Sequence, residues 1–132
     1  MSNALSDVPA SAASGEHPRR LGGIWHNQHG SELHLHVGAG GALAGTFQSA
    51  TGDPSGDAQP VAGRADMAPW GTTTAVGFLV LWPEAHSVTC WSGRYDTALD
   101  RIEATWVMTA EAEEHDAWMA TRIGHDVFVR GD

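Results

Sequence analysis

Three short stretches of this chain bring together side chains that could act on a ligand. In His86-Ser87-Val88-Thr89-Cys90-Trp91, an extended backbone sends Ser87, Thr89 and Trp91 to one face and Val88 and Cys90 to the other. One face thus sets hydroxyls beside an indole, a mixture suited to a flat, apolar ligand with polar edges. In Phe78-Leu79-Val80-Leu81-Trp82 the aligned set is Phe78, Val80 and Trp82, and in Trp106-Val107-Met108-Thr109 the indole shares its face with Met108. Ordinary core packing fits the same pattern, with the indoles filling an interior and the hydroxyls bonded to nearby backbone. The pattern alone leaves a cavity and a filled core both open.

Catalytic and metal chemistry find less support. A hydrolase would need Ser87 with His86 or His125 and an acid, yet no Ser, His and acid stand at a recognisable spacing. His86 and Ser87 are neighbours in sequence, as are His125 and Asp126, and neighbours on a strand point to opposite faces. His34 and His36 share a face opposite Leu33, Leu35 and Val37, with His26 expected on the adjacent strand, which makes a surface metal site conceivable. No Asp or Cys completes a ligand set there, and exposed polar alternation accounts for the same residues. The expectation is therefore no catalytic residue, no metal and no cofactor.

Composition narrows the classes further. With 132 residues, 42% hydrophobic and 17% charged, the chain suits one compact domain. Seven basic against 16 acidic side chains give a formal charge of -9, which repels phosphate backbones and anionic head groups, so neither nucleic acid nor a membrane is an expected partner. All the basic residues are Arg, so Schiff-base and P-loop chemistries lack their lysine. The single cysteine, Cys90, has no intrachain partner. No apolar run reaches the roughly 18 residues of a membrane helix, and the stretch MSNALSDVPASAASGEHPRR lacks the apolar segment of a signal peptide, so an exported form would already have lost its signal.

The elements that position these residues read as short strands. Residues 1–20 are rich in Ser, Ala and Pro without apolar periodicity and are expected to form a disordered tail, with the folded domain over residues 21–130. Eight β-type runs follow, at about 21–27, 31–37, 42–49, 60–66, 73–82, 86–94, 99–109 and 118–129, separated by Gly, Asp, Pro and Ser clusters. Several links are hairpin-sized, so consecutive strands should pair antiparallel. The stretch 110–117 has room for one helical turn. Eight such strands can close into a barrel or stack as a sandwich. Apolar side chains at Leu79, Leu81, Val88 and Val107, on the faces opposite the indoles, suggest that the outer surface packs on another subunit.

Six stretches in order, GIWHNQHGS (23–31), GALAGTFQSA (41–50), TAVGFLVLW (74–82), AHSVTCWSG (85–93), RIEATWVMT (101–109) and DAWMATRIGHDVF (116–128), resemble the avidin and streptavidin family of biotin-binding proteins. Each is short, but together they span nearly everything after residue 21. The resemblance implies an all-β, eight-stranded antiparallel up-and-down β-barrel that sequesters biotin in its mouth without covalent chemistry. It also implies secretion and a homo-oligomer, a tetramer in preference to a dimer. Residue by residue, it places Asn27 and Ser31 on the ureido oxygen, Ser49 and Asp126 on the ureido N–H groups, and Thr89 at the sulfur. The valerate carboxylate would meet Ser87 and the loop bearing Thr51 and Asp53. Trp82, Trp91 and Trp106 would wall the ligand, Phe78 would lie deeper, and Trp118 would be lent to a neighbouring subunit's site.

Two positions, Phe47 and Asp53, depart from the family pattern, and a third, Arg122, differs from streptavidin but resembles the animal avidins, which also carry Arg. Phe47 stands where a Tyr donates a third hydrogen bond to the ureido oxygen. Asp53 sets an acid near the expected carboxylate, and Arg122 sets a positive charge near the mouth. Phe47 and Asp53 leave room for an alternative, a barrel of the same fold binding a different small ligand.

Overall fold

In the computed structural model, which describes residues 17–50 and 56–131, the chain forms a closed barrel of eight strands. They are β1 (Gly23–His26), β2 (Glu32–Val37), β3 (Ala42–Gln48), β4 (Gln59–Ala65), β5 (Thr73–Trp82), β6 (Ser87–Asp96), β7 (Arg101–Ala110) and β8 (Thr121–Arg130). Each pairs antiparallel with the next, and β8 returns to β1 through Trp25 opposite Arg130 and His26 opposite Val129. The barrel and its up-and-down order are those expected from the sequence. The choice against a sandwich follows from closure, which leaves no unpaired strand edge.

Alternation sets the two faces. Along β5, Thr74, Val76, Phe78, Val80 and Trp82 are buried, while Leu79 and Leu81 are exposed. Leu33 and Leu35 on β2 point inward between the outward His34 and His36. Local chemistry places the turns. Asp96 accepts hydrogen bonds from the N–H groups of Ala98 and Leu99, at 2.9 and 3.1 Å, and so reverses the chain between β6 and β7. Between β5 and β6 a 3-10 turn, Pro83–Ala85, ends at His86 in the left-handed region.

One end of the barrel is closed by side chains. Pro18 and Leu21, just ahead of β1, are fully buried, and the Trp25 indole donates to the Leu21 carbonyl at 2.9 Å. The Arg130 guanidinium lies 3.9 Å over the Trp25 ring and donates to the carbonyls of Gly22 and Arg20. It also makes two bonds to Asp100, at 2.8 and 3.2 Å, and Tyr95 donates to the same carboxylate at 2.8 Å. Arg130 holds the Asp100 carboxyl below its ordinary range despite some desolvation, with Tyr95 helping. Burial, and then the bond to Asp100, push the Tyr95 phenol up to about 12. This clasp joins β1, β6, β8 and the turn after β6 at the closed end of the barrel.

Two sequence expectations shift. The last strand begins at Thr121, and the residues before it form a 3-10 turn, Glu114–Met119. Trp118 therefore sits on a helical turn instead of a strand, with its side chain exposed. On the outside, Leu79, Cys90, Val107 and Ile123 are directly paired neighbours across β5 to β8, an exposed row that is apolar but for the Cys90 thiol.

Candidate ligand-binding site

The open end of the barrel holds a cavity of about 510 Å³, the size class of a site for a small organic molecule. Ten residues expected from the sequence line it together: Asn27, Ser31, Phe47, Ser49, Trp82, Ser87, Thr89, Trp91, Trp106 and Asp126. They come from five of the eight strands, from the turn between β1 and β2 and from just past the end of β3, so only closure of the barrel brings them to one place. Phe78 lies beneath, stacked on Trp91 at 5.0 Å. Trp118 does not line the cavity of its own chain. Thr51 and Asp53 lie outside the described residues.

The aromatic wall is interlocked. Phe47 meets Trp82 edge to face at 5.8 Å and Trp91 at 5.0 Å. Such contacts hold the rings in place before any ligand arrives. Trp106 lies against Gly124 on β8, where a Cβ would run into the indole. The absence of a side chain at residue 124 lets the ring pack flat on the strand.

The polar groups are oriented by partners outside the cavity. Asn27 uses its Oδ1 to accept the N–H groups of His29 and Ser31, at 3.0 and 2.9 Å, in the turn after β1. With that oxygen committed to backbone, the Nδ2 donor is what the amide has left to offer. Ser31 Oγ accepts the Ala50 N–H at 3.0 Å, and Thr89 Oγ1 accepts the Trp82 indole N–H at 2.9 Å. Each hydroxyl keeps its single proton to donate. Asp126 is 3% exposed and supplies an acceptor, one oxygen taking the Trp91 indole N–H at 2.9 Å and the other the Gln28 amide at 3.2 Å. Both partners are neutral, and a carboxylate oxygen has lone pairs for more than one donor.

Gln28 is a residue that sequence reasoning did not find. Beyond β1 its side chain donates to the His125 carbonyl at 2.8 Å and accepts the Val127 N–H at 3.0 Å, imitating a backbone rung between β1 and β8. It thereby fixes the strand segment that carries Asp126. Its place beside Asn27 was the only signal, because nothing in spacing ties residue 28 to residue 126. The neighbours His125 and Asp126 do face opposite ways, Asp126 into the cavity and His125 to solvent.

The cavity therefore presents donors from Asn27, Ser31 and Thr89, an acceptor from Asp126, and flat aromatic walls between them. This complements a ligand that combines a carbonyl oxygen with N–H groups on an otherwise apolar frame. The model of the avidin family matches residues 16–131. Avidin of Gallus gallus is 28% identical over 119 residues, an alignment that covers 83% of this chain and 77% of that protein.

Proposed function

We propose that this chain, which belongs to the avidin family, binds biotin non-covalently at the open end of its barrel and sequesters it without transforming it. The observation that carries the reading is the division of polar roles just described. The ureido oxygen of biotin would take hydrogen bonds from Asn27 Nδ2 and Ser31 Oγ, while the two ureido N–H groups would donate to Ser49 and Asp126. A carboxylate on that N–H draws negative charge toward the oxygen and strengthens the bonds on the other side. Thr89 would meet the sulfur, Ser87 the far carboxylate together with the loop bearing Thr51 and Asp53, and Trp82, Trp91 and Trp106 would exclude water along the frame.

Phe47 supplies wall but no hydroxyl, so the site binds tightly with one donor fewer than the family pattern. Losing such a bond in a dry site costs about 1–3 kcal/mol. The exposed row of Leu79, Cys90, Val107 and Ile123, together with Trp118 standing 81% exposed beside the mouth, supports self-association into a tetramer in which Trp118 completes a neighbour's site. Family membership is likewise the support for secretion.

Titration of the purified protein with biotin, followed by tryptophan emission and thermal unfolding, tests the reading. A ligand against three indoles changes their emission, and tight binding raises the melting temperature by mass action. No response in either signal at micromolar biotin would remove biotin as the ligand and favour another small molecule in the same cavity.

A further inference from the structure

The inner face of β8 reads Arg122, Gly124, Asp126, Phe128 from the mouth downward. Phe128 and Asp126 are buried, and Arg122 lines the same cavity as Asp126. Arg122 and Asp126 stand four steps apart on the strand, roughly 13 Å along the chain. Between them lies Gly124 with the Trp106 indole against it. A ligand whose polar head engages Asp126 and whose chain follows the Trp106 wall therefore ends beside the Arg122 guanidinium.

Arg122 is the one arginine among the described residues that lines the cavity. Among the described residues, Arg101 and Arg94 reach Glu103, Arg130 is clasped to Asp100 and Arg64 donates to the Gly40 carbonyl, whereas Arg122, like Arg19 and Arg20 ahead of β1, has neither a side-chain ion pair nor a side-chain hydrogen bond. The surroundings are acidic. The loop after β7 sets Glu111, Glu113 and Asp116 around a depression that shares Ala110, Met119 and Ala120 with the cavity. In a chain of net charge -9, that rim would repel an anionic ligand tail. A guanidinium on the inner side of the rim, unpaired and close to the expected end of the ligand, reverses the local field.

We infer that Arg122 is a specificity-determining residue that engages the carboxylate end of the ligand and makes the site favour free biotin over neutral amides of biotin, the form in which it is joined to protein lysines. This rests on the biotin reading above. Neutralising the tail removes the charge that Arg122 attracts, while the ureido contacts some 13 Å away remain.

Dissociation rates of biotin and biotinamide from the wild-type protein, Arg122→Gln and Arg122→Lys test the inference at low and high ionic strength. The expected result is a ratio of biotinamide to biotin off-rates that falls by about three- to tenfold in R122Q and is largely kept in R122K. Salt should shrink the wild-type ratio and leave that of R122Q nearly constant. Equal effects of R122Q on both ligands, or no effect on either, would overturn the role of Arg122 while leaving the biotin reading intact. If neither ligand binds the wild-type protein, the biotin reading falls and this inference with it.

Discussion

Phe47→Tyr adds one hydroxyl to the wall of the cavity and asks whether the site is complete but for that group. Phe47 is 3% exposed, its ring held by Trp82 at 5.8 Å and Trp91 at 5.0 Å, and it borders the cavity that Asn27 and Ser31 also line. In the complex the new hydroxyl becomes a third donor to the ureido oxygen. A hydrogen bond to a strongly polarised oxygen contributes about 1–3 kcal/mol, so biotin should leave the variant roughly five- to 150-fold more slowly. The opposing effect is steric, since overpacking a close-fitted wall costs about 1–3 kcal/mol where nothing can yield. A cold-chase measurement of labelled biotin dissociation reads the net effect, and the melting temperature of the ligand-free variant separates the two contributions. An off-rate that is unchanged or faster, with ligand-free stability intact, would refute the assignment of Phe47 to the ureido end.

Gln28→Leu removes the side-chain rung between β1 and β8 and one donor to Asp126. Biotin affinity should drop about tenfold, at about 1–2 kcal/mol, as Asp126 loosens. Calorimetric titration checks this, and an unchanged affinity would show that Trp91 alone holds the carboxylate. At the closed end, Asp100→Asn should destabilise the barrel by about 1–3 kcal/mol at neutral pH. Because the Asp100 carboxyl is held below its ordinary value of 3.8, its contribution is complete above that pH and disappears as pH falls through the lower folded value. Urea unfolding from pH 2 to 7 should show the gap between the wild-type protein and the variant closing only at the acid end, and a constant gap would contradict the clasp.

The inward set of the site was legible because it follows from alternation along single strands. Ser87, Thr89 and Trp91 share a face of β6 whatever the rest of the chain does, as Phe78, Val80 and Trp82 do on β5. The ordered stretches then named Asn27, Ser31, Ser49 and Asp126, which no local pattern could have linked. What escaped depends on closure and on turn geometry. Gln28 acts across the β1–β8 seam, on atoms 97 to 99 residues away. The Arg130 clasp likewise joins residues 108 and 110 positions apart. Trp118 was expected on a strand because β-type residues follow it, yet EHDAWM turns as a 3-10 helix whose end is tied by the Ala120 N–H on the Ala117 carbonyl. A single indole ahead of a strand carries no periodicity that distinguishes the two.

The most direct test of the account is a crystal structure of the protein grown with biotin. The ureido oxygen should lie within about 3.2 Å of both Asn27 Nδ2 and Ser31 Oγ, with an N–H group equally close to Asp126. The sulfur should sit beside Thr89 and the frame between Trp82, Trp91 and Trp106. Biotin seated with its carboxylate at Asp126, or an empty cavity at saturating biotin, would contradict the account.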